Sequence, residues 1–524
     1  MKKSIILLLA ISTLVGCSTK KPPVSTTSIS ENALLVADYL SSSNYTSAQS
    51  FFDEYLKQKT KTLSGEYALK WLYYLLSLNI DLIDELDAWC SSENATHSAY
   101  LTRGKWYMDE AWRVRGGGWG YSVKNESLPL FYQNLEKAEA DLGKAYEMNP
   151  DDPCSAKYMI AVCMGKGSSF EEKEKWFTRA TEKHPDFLGA YRNMAWSMYP
   201  RWGGDEQALL SFIDTVIQSH PELPVFTTLK TSWYFKEKER ELSKKNSTEF
   251  RELRALLLDY STRSPHDSQP IRELANAYWE QGQKEEAIAY MGKAIGIDPS
   301  FENYSRRGYF YYSMRKLQLA RHDLNNALAQ HPYDLDTLKN LARVEYRTKP
   351  PNYNKAIELF SKALKIDPDM DSTLALRGRS YQRIKKYPEA KADLEKSLSL
   401  NSRTDWAWYS LGEIEWYQYK NAEDAIYCIT RSINLSADYS CHFLRGQIYR
   451  ESGKYAEAIS DYKKAIQFRR KSRGKIEPLI KQCRQELEKQ IAANQKLDPT
   501  MKMPVESGNT QGTAGQRQRS SGER

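Results

Sequence analysis

Small and apolar residues return along this chain with a period near 34. The period shows best in KAIGIDPSF (293–301), NALAQHPYD (326–334) and KALKIDPDM (362–370). Earlier copies are KAYEMNPDD (144–152), RATEKHPDF (179–187) and TVIQSHPEL (215–223). Weaker copies follow at KSLSLNSRT (396–404), RSINLSADY (431–439) and KAIQFRRKS (464–472). With Ala294, Ala327, Ala363, Ser397, Ser432 and Ala465 as the marker, the spacings are 33, 36, 34, 35 and 33. Tyr260 fills the marker position 34 residues before Ala294. Within one period, Leu274, Ala275, Tyr278, Ala287, Ala294 and Pro299 suit two antiparallel helices. Small residues let the helices approach, the tyrosine fills the space between helix pairs, and the proline ends the second helix.

The same positions recur as Arg307, Gly308, Tyr311, Ala320, Ala327 and Pro332, as Arg377, Gly378, Tyr381, Ala390 and Ser397, and as Arg445, Gly446, Tyr449, Ala458 and Ala465. The pattern resembles the tetratricopeptide repeat, strongly over about 265–470 and loosely over about 95–260. The resemblance implies an all-α fold, a right-handed superhelical solenoid of about nine or ten helix-turn-helix repeats. Arginine at 307, 377 and 445 replaces the usual leucine; its stem is expected to pack while the guanidinium reaches outward.

The first segment, MKKSIILLLAISTLVGC, sets Lys2 and Lys3 before an apolar run from Ile5 to Val15. That is the layout of a secretory signal, too short for a stable membrane span. Leu14-Val15-Gly16-Cys17 resembles the bacterial lipobox, which implies a Cys17 that is acylated, cleaved to become the new N-terminus, and acylated again to anchor the protein. Ser18 follows where aspartate would signal inner-membrane retention, so the resemblance implies a lipid-anchored protein of the bacterial envelope at the outer membrane. The expected organisation is a signal peptide (1–17), a Pro/Ser/Thr tether (18–30), a helical segment (31–92) and divergent repeats with Gly/Trp inserts (93–260). A regular array (261–470), a basic capping helix (471–494) and a disordered tail (495–524) follow.

Two inserts interrupt the divergent repeats. AWRVRGGGWGYS (111–122) falls between helices expected at about 95–113 and 128–148, and YPRWGGDE (199–206) enlarges the corresponding turn two repeats later. Neither is a nucleotide loop, since no Lys-Ser/Thr follows the glycines and no strand pattern precedes them. One reading is structural, with glycines at positive φ and tryptophans plugging the joint. The other is a ligand edge, with Arg115 and Arg201 as anion donors and Trp119, Tyr121 and Trp202 as stacking faces. Residues 95–220 also resemble a bacterial repeat-containing family of unknown function, which supplies no activity.

The tetratricopeptide resemblance places Trp279, Tyr309, Tyr312, Lys339, Arg343, Tyr346, Arg347, Arg379, Arg383, Trp406, Tyr409 and Trp416 on a concave groove. Arg343 and Arg347 are helical neighbours, as are Arg379 and Arg383. Converging guanidinium groups suit a carboxylate on an acidic peptide, a chain terminus or an acidic glycan. Alternatively they pair with Glu280, Glu345 or Glu413 in a solvated groove.

Charge narrows the classes further. Lys and Arg number 75 against 67 Asp and Glu, and the signs are interspersed, which does not describe a nucleic-acid footprint. Beyond Cys17, the six cysteines show no CxxC and no zinc spacing, and read as buried small apolar residues. Cys428 and Cys441, on successive helices, are the one pair placed for a disulfide. His184, His220 and His331 precede prolines at repeat ends, a structural position. No catalytic constellation, metal or cofactor is expected. The sequence reads as a membrane-anchored scaffold holding a protein or peptide partner, with capture of a glycan or small ligand for an outer-membrane importer as the alternative.

Overall fold

The computed structural model describes residues 23–116, 123, 125–245 and 247–497. Cys17, Trp119 and Tyr121 lie outside the described residues. Among those described, the protein is built of 26 α-helices, with two isolated bridges and no strand. No described helix is long and apolar enough to cross a membrane. The chain divides into two compact units, up to Thr373 and from Leu374 onward.

Helix pairs follow the sequence period. In the first unit Gln269–Glu280 packs on Lys284–Ile297, Phe301–Ser313 on Leu317–Gln330, and Leu335–Arg347 on Tyr353–Ile366. In the second, Asp405–Tyr417 packs on Ala422–Leu435 and Tyr439–Glu451 on Tyr455–Phe468, before the last helix, Arg473–Leu497. The marker residues Ala294, Ala327, Ala363 and Ala465 are fully buried between helices, which is why the period selects small side chains there.

Close approach explains the glycine on the first helix of four pairs, at 308, 378, 412 and 446. A Cβ on Gly412 would stand 2.6 Å from Ile429 Cδ1 and 3.3 Å from the Ala425 carbonyl. Gly296, on a helix surface, has nothing within 4 Å of that position. The two therefore respond oppositely to alanine. Gly412→Ala is expected to cost about 1–3 kcal/mol through overpacking, and Gly296→Ala to stabilise by about 0.5–1 kcal/mol through helix propensity. Thermal melts of the two variants check this; equal shifts would refute the packing account.

The arginines at 307, 377 and 445 do not reach outward as expected. Each turns into its own helix pair and grips an aspartate sixteen residues on. Arg307 meets Asp323 at 2.6 and 2.8 Å, Arg377 meets Asp393 at 2.7 Å on both oxygens, and Arg445 meets Asp461 at 2.7 and 2.9 Å. Asp323 and Asp461 are buried, so a planar fork that satisfies both carboxylate oxygens outweighs a solvated guanidinium. The same clamp holds the first divergent pair. Arg103 meets Asp141 at 2.8 Å twice, 38 positions on rather than 16, because both helices and the turn between them are longer here.

The expected tether is helical from Thr26. Ser25 caps the Thr26–Ser41 helix, and Ile29 and Val36 are fully buried on its inner face. The helix start also bonds a distant repeat: Thr26 Oγ1 donates to Asp298 Oδ2 at 2.8 Å. Elsewhere in the unit, Lys365 Nζ pairs with Asp81 at 2.6 Å and Arg113 Nη1 donates to the Ile366 carbonyl at 2.6 Å. The first unit thus closes on itself and ends at Thr373.

The six described cysteines are free and buried, and Cys441 Sγ lies 3.3 Å from Ser432 Oγ rather than bonded to Cys428. His184 and His220 bond the carbonyls of Asp151 and Pro185 at 3.0 Å each, tying successive repeat ends together.

Candidate ligand chamber of the first unit

Closure of the first unit leaves a chamber of about 570 Å³. That volume suits a small ligand or the end of a peptide. One wall comes from helices Ala68–Ser77, His97–Arg115, Pro153–Lys166 and Leu188–Ser197. It presents Lys70, Lys105, Lys157 and Arg192 with Trp71, Tyr74 and Tyr158. The other wall comes from the repeats Phe301–Ser313 and Leu335–Arg347 and presents Arg306, Tyr309, Lys339 and Arg343 with Glu302, Asp334 and Asp336.

The repeat wall is balanced in charge but not fully paired. Lys339 bonds Asp336 at 2.7 Å. Arg306 Nε donates to Asn276 Oδ1 at 2.6 Å, and Arg343 reaches Asn340 Oδ1 at 3.5 Å; neither meets a carboxylate. Glu345 is not their partner, because Arg321 takes both of its oxygens at 2.6 and 3.0 Å.

The opposite wall is desolvated and crowded with positive charge. Lys70 pairs with the buried Glu66, which also accepts from Arg192 at 3.0 Å. Lys105 pairs with Asp109 and donates to Ser77 Oγ at 3.2 Å. Lys157 lies 3.9 Å from the centre of the Tyr158 ring and meets no carboxylate. Burial is the main cause that brings the Lys157 amine down to about 7, and Lys105 and Arg192 lower it further. Burial also holds Lys70 well below the usual lysine range, with Arg192 and Lys157 adding to it. Such perturbation in a cavity is the physical mark of a site prepared for an opposite charge.

Of the groove residues expected from sequence, Tyr309, Lys339 and Arg343 line this chamber. Trp279 does not; it stacks flat on Phe310 with centroids 4.2 Å apart. Tyr312 lies 5.1 Å from the exposed Arg347, and Tyr346 meets Tyr353 edge-on. In the second unit, Arg379 lies over Trp406 at 5.5 Å, and Arg383 is exposed. Tyr409 is held above the usual tyrosine range by burial and by Glu413. Glu413 accepts from Gln382 at 3.2 Å. Trp416 departs from the groove expectation: it is 9 % exposed and packs in the core with Ala425, Ile429 and Leu444.

At the insert edge, Trp202 packs edge-on against Trp112 at 5.3 Å, and Arg115 lies 4.9 Å over the Trp202 ring. Gly203 adopts φ +79°, and a Cβ on Gly204 would strike the Met198 carbonyl at 1.9 Å, so this Gly-Gly pair is required by the turn itself. Arg201 lies on the short 3₁₀ turn Pro200–Trp202.

Lys70, Lys105, Lys157 and Arg192 escaped the sequence reading. Each sits on a helix of the non-repeating or divergent part, and only closure of the unit brings them opposite residues 301–343. Among the described residues no group of three or more His, Cys, Asp or Glu could hold a metal ion.

The paired helices, the buried small markers and the inward clamps define a helix-turn-helix repeat protein. Models of the tetratricopeptide repeat match residues 273–301, 306–371, 372–404 and 439–472, so those stretches of the chain carry tetratricopeptide repeats. Among curated proteins it is similar to anaphase-promoting complex subunit 3 of Schizosaccharomyces pombe, 24% identical over 121 residues, 23% of this chain and 18% of that protein. It thus spans less than a fifth of that relative. Among solved structures it is similar to the Cut9–Hcn1 hetero-tetramer of the APC/C, at 18% identity, covering 80% of this chain and 83% of that one, with a TM-score of 0.41. A second is YrrB, described as a TPR protein with an unusual peptide-binding site, at 19% identity, covering 35% and 94%, with a TM-score of 0.33. Likeness at this level concerns repeat architecture alone.

Proposed function

We propose that this protein is a lipid-anchored scaffold of the bacterial envelope, held at the outer membrane through Cys17, that docks a partner protein by an acidic segment entering the chamber. The carrying observation is the repeat wall, where Arg306 and Arg343 face the cavity with amide partners and no carboxylate. A guanidinium so placed gains two charge-assisted bonds from an incoming carboxylate without breaking an existing ion pair. Tetratricopeptide repeats are interaction modules, and tyrosine beside arginine is the composition that anchors interfaces.

The test is a crosslinked pull-down from membranes of the native host. Wild type is expected to recover a discrete protein, and Arg306→Glu/Arg343→Glu to lose it by more than tenfold, as truncating paired interface charges does. Recovery unchanged in the variant would overturn docking at the chamber. Cys17→Ala is expected to release the protein from the membrane fraction; retention there would overturn the anchor. A second reading, capture of an acidic glycan, draws on the aromatic rings of Trp71, Tyr74, Tyr158 and Tyr309 around the same cavity. Saturable binding in a glycan panel, with no protein recovered, would replace the scaffold by that reading.

A further inference from the structure

We infer that the wall formed by Lys70, Lys105, Lys157 and Arg192 is a binding site for a small phosphate monoester carrying a flat ring. The inference shares the chamber with the docking reading but does not depend on a protein partner.

Seven cationic and three acidic side chains line the chamber. On the repeat wall three cations face three acids. On the opposite wall four cations meet two carboxylates, Glu66 and Asp109, which lie behind it. The basic groups therefore outnumber the carboxylates by two on the side where burial is deepest, and burial together with that crowding holds Lys70 and Lys157 below the usual lysine range. Glu66, Lys70 and Lys105 are each less than 8 % exposed. Like charges held together out of water are unfavourable unless something completes them. The complement of such a wall is a compact dianion, which would favour the protonated forms of these amines.

A phosphate monoester meets that requirement better than a peptide carboxylate. Near neutral pH it carries close to two charges on one group, with three oxygens to accept bonds. Ammonium groups serve it as point charges and Arg192 as a fork. The same wall adds donors and surfaces beyond the charges. Trp71 lines the chamber through its ring, while its indole N–H is enclosed by the protein. Tyr74 stands beside it and offers a face for an aromatic or sugar ring, whereas Tyr158 is buried with Lys157 over its ring. Asn193 lines the cavity as well, its amide oriented by a bond to the Lys157 carbonyl at 2.9 Å.

Calorimetry on the full-length protein decides the matter, with phenyl phosphate as probe and benzoate and phthalate as controls. Phenyl phosphate is expected to bind saturably below about 1 mM, at least tenfold tighter than either carboxylate. Lys157→Met should weaken it about tenfold or more, and Lys157→Arg should restore most of the loss. Circular dichroism confirms that each variant is folded. Absence of saturable binding by wild type overturns the site. Phthalate binding as tightly as phenyl phosphate overturns the ligand class, and unchanged affinity in folded Lys157→Met overturns the wall. The docking reading fails separately: an Arg306→Glu/Arg343→Glu variant that binds phenyl phosphate and still recovers the partner overturns docking alone. A wild type that recovers its partner yet ignores phenyl phosphate removes this one alone.

Discussion

Replacing Asp461 by alanine is expected to lower stability by about 3 kcal/mol, a large loss for a surface-length side chain. Asp461 is buried and accepts from Arg445 at 2.7 and 2.9 Å and from His442 Nδ1 at 2.9 Å. Removing it strands a guanidinium in a pocket where its side chain is 13% exposed. The net worth of the pair is far smaller than that loss, because burial of both ions costs most of what their attraction returns. The chain itself suggests the control. Where the first helix of a repeat carries Leu274 or Leu411 instead of arginine, the position sixteen residues on is Tyr290 or Tyr427 instead of aspartate. Arg445→Leu/Asp461→Tyr should therefore recover most of the loss that Asp461→Ala incurs. Urea unfolding followed by tryptophan fluorescence measures both. A single substitution costing under about 0.5 kcal/mol would mean the clamp is no more than a surface ion pair.

That clamp also shows what the sequence could have told and what it withheld. The repeat phase was legible because small residues at the markers are demanded by helix contact, and contact recurs every 34 residues. The arginine-glycine pairs at 103–104, 307–308, 377–378 and 445–446 were equally visible, and the aspartate sixteen residues after three of them completes the signal. Reading each arginine alone, by its propensity to reach solvent, hid the partner. The longer helices and turn between Arg103 and Asp141 hid the fourth copy by moving the aspartate out of register. Of the chamber, only Tyr309, Lys339 and Arg343 on the repeat wall were legible, and the opposite wall was not. Lys70 and Arg343 are 273 positions apart in the sequence, and no local pattern announces that the Thr26 helix will bond Asp298. Trp416 erred in the other direction. Its place in the repeat predicts a groove face, but Ile429 and Leu444 cover it, so repeat position alone did not fix its exposure.

Lys157→Met is expected to stabilise the protein, and to do so in a pH-dependent way. The amine is brought from the ordinary lysine value of 10.5 to about 7 in the folded chain. Below pH 7 both folded and unfolded chains hold the proton, and the folded one bears the full cost of a buried, repelled ammonium. Between about 7 and 10.4 the unfolded chain binds more protons than the folded one, so the cost fades as pH rises, and above that window it is gone. Methionine keeps the stem, which packs under Gly189 with Lys157 Cδ 3.3 Å from where a Cβ there would sit, and removes the charge. The gain should be about 2 kcal/mol at pH 6.5, less than the whole shift implies because the ammonium keeps some water, and should vanish near pH 10. Melting curves of the two proteins across that range provide the check; a gain that is flat in pH would assign it to packing. Phenyl phosphate supplies the link to function. A dianion on the wall lowers the cost of the charged amine in wild type and has no amine to meet in the variant. Saturating ligand should therefore close the gap between the two at pH 6.5, the behaviour of a residue kept at a cost to stability for what it binds.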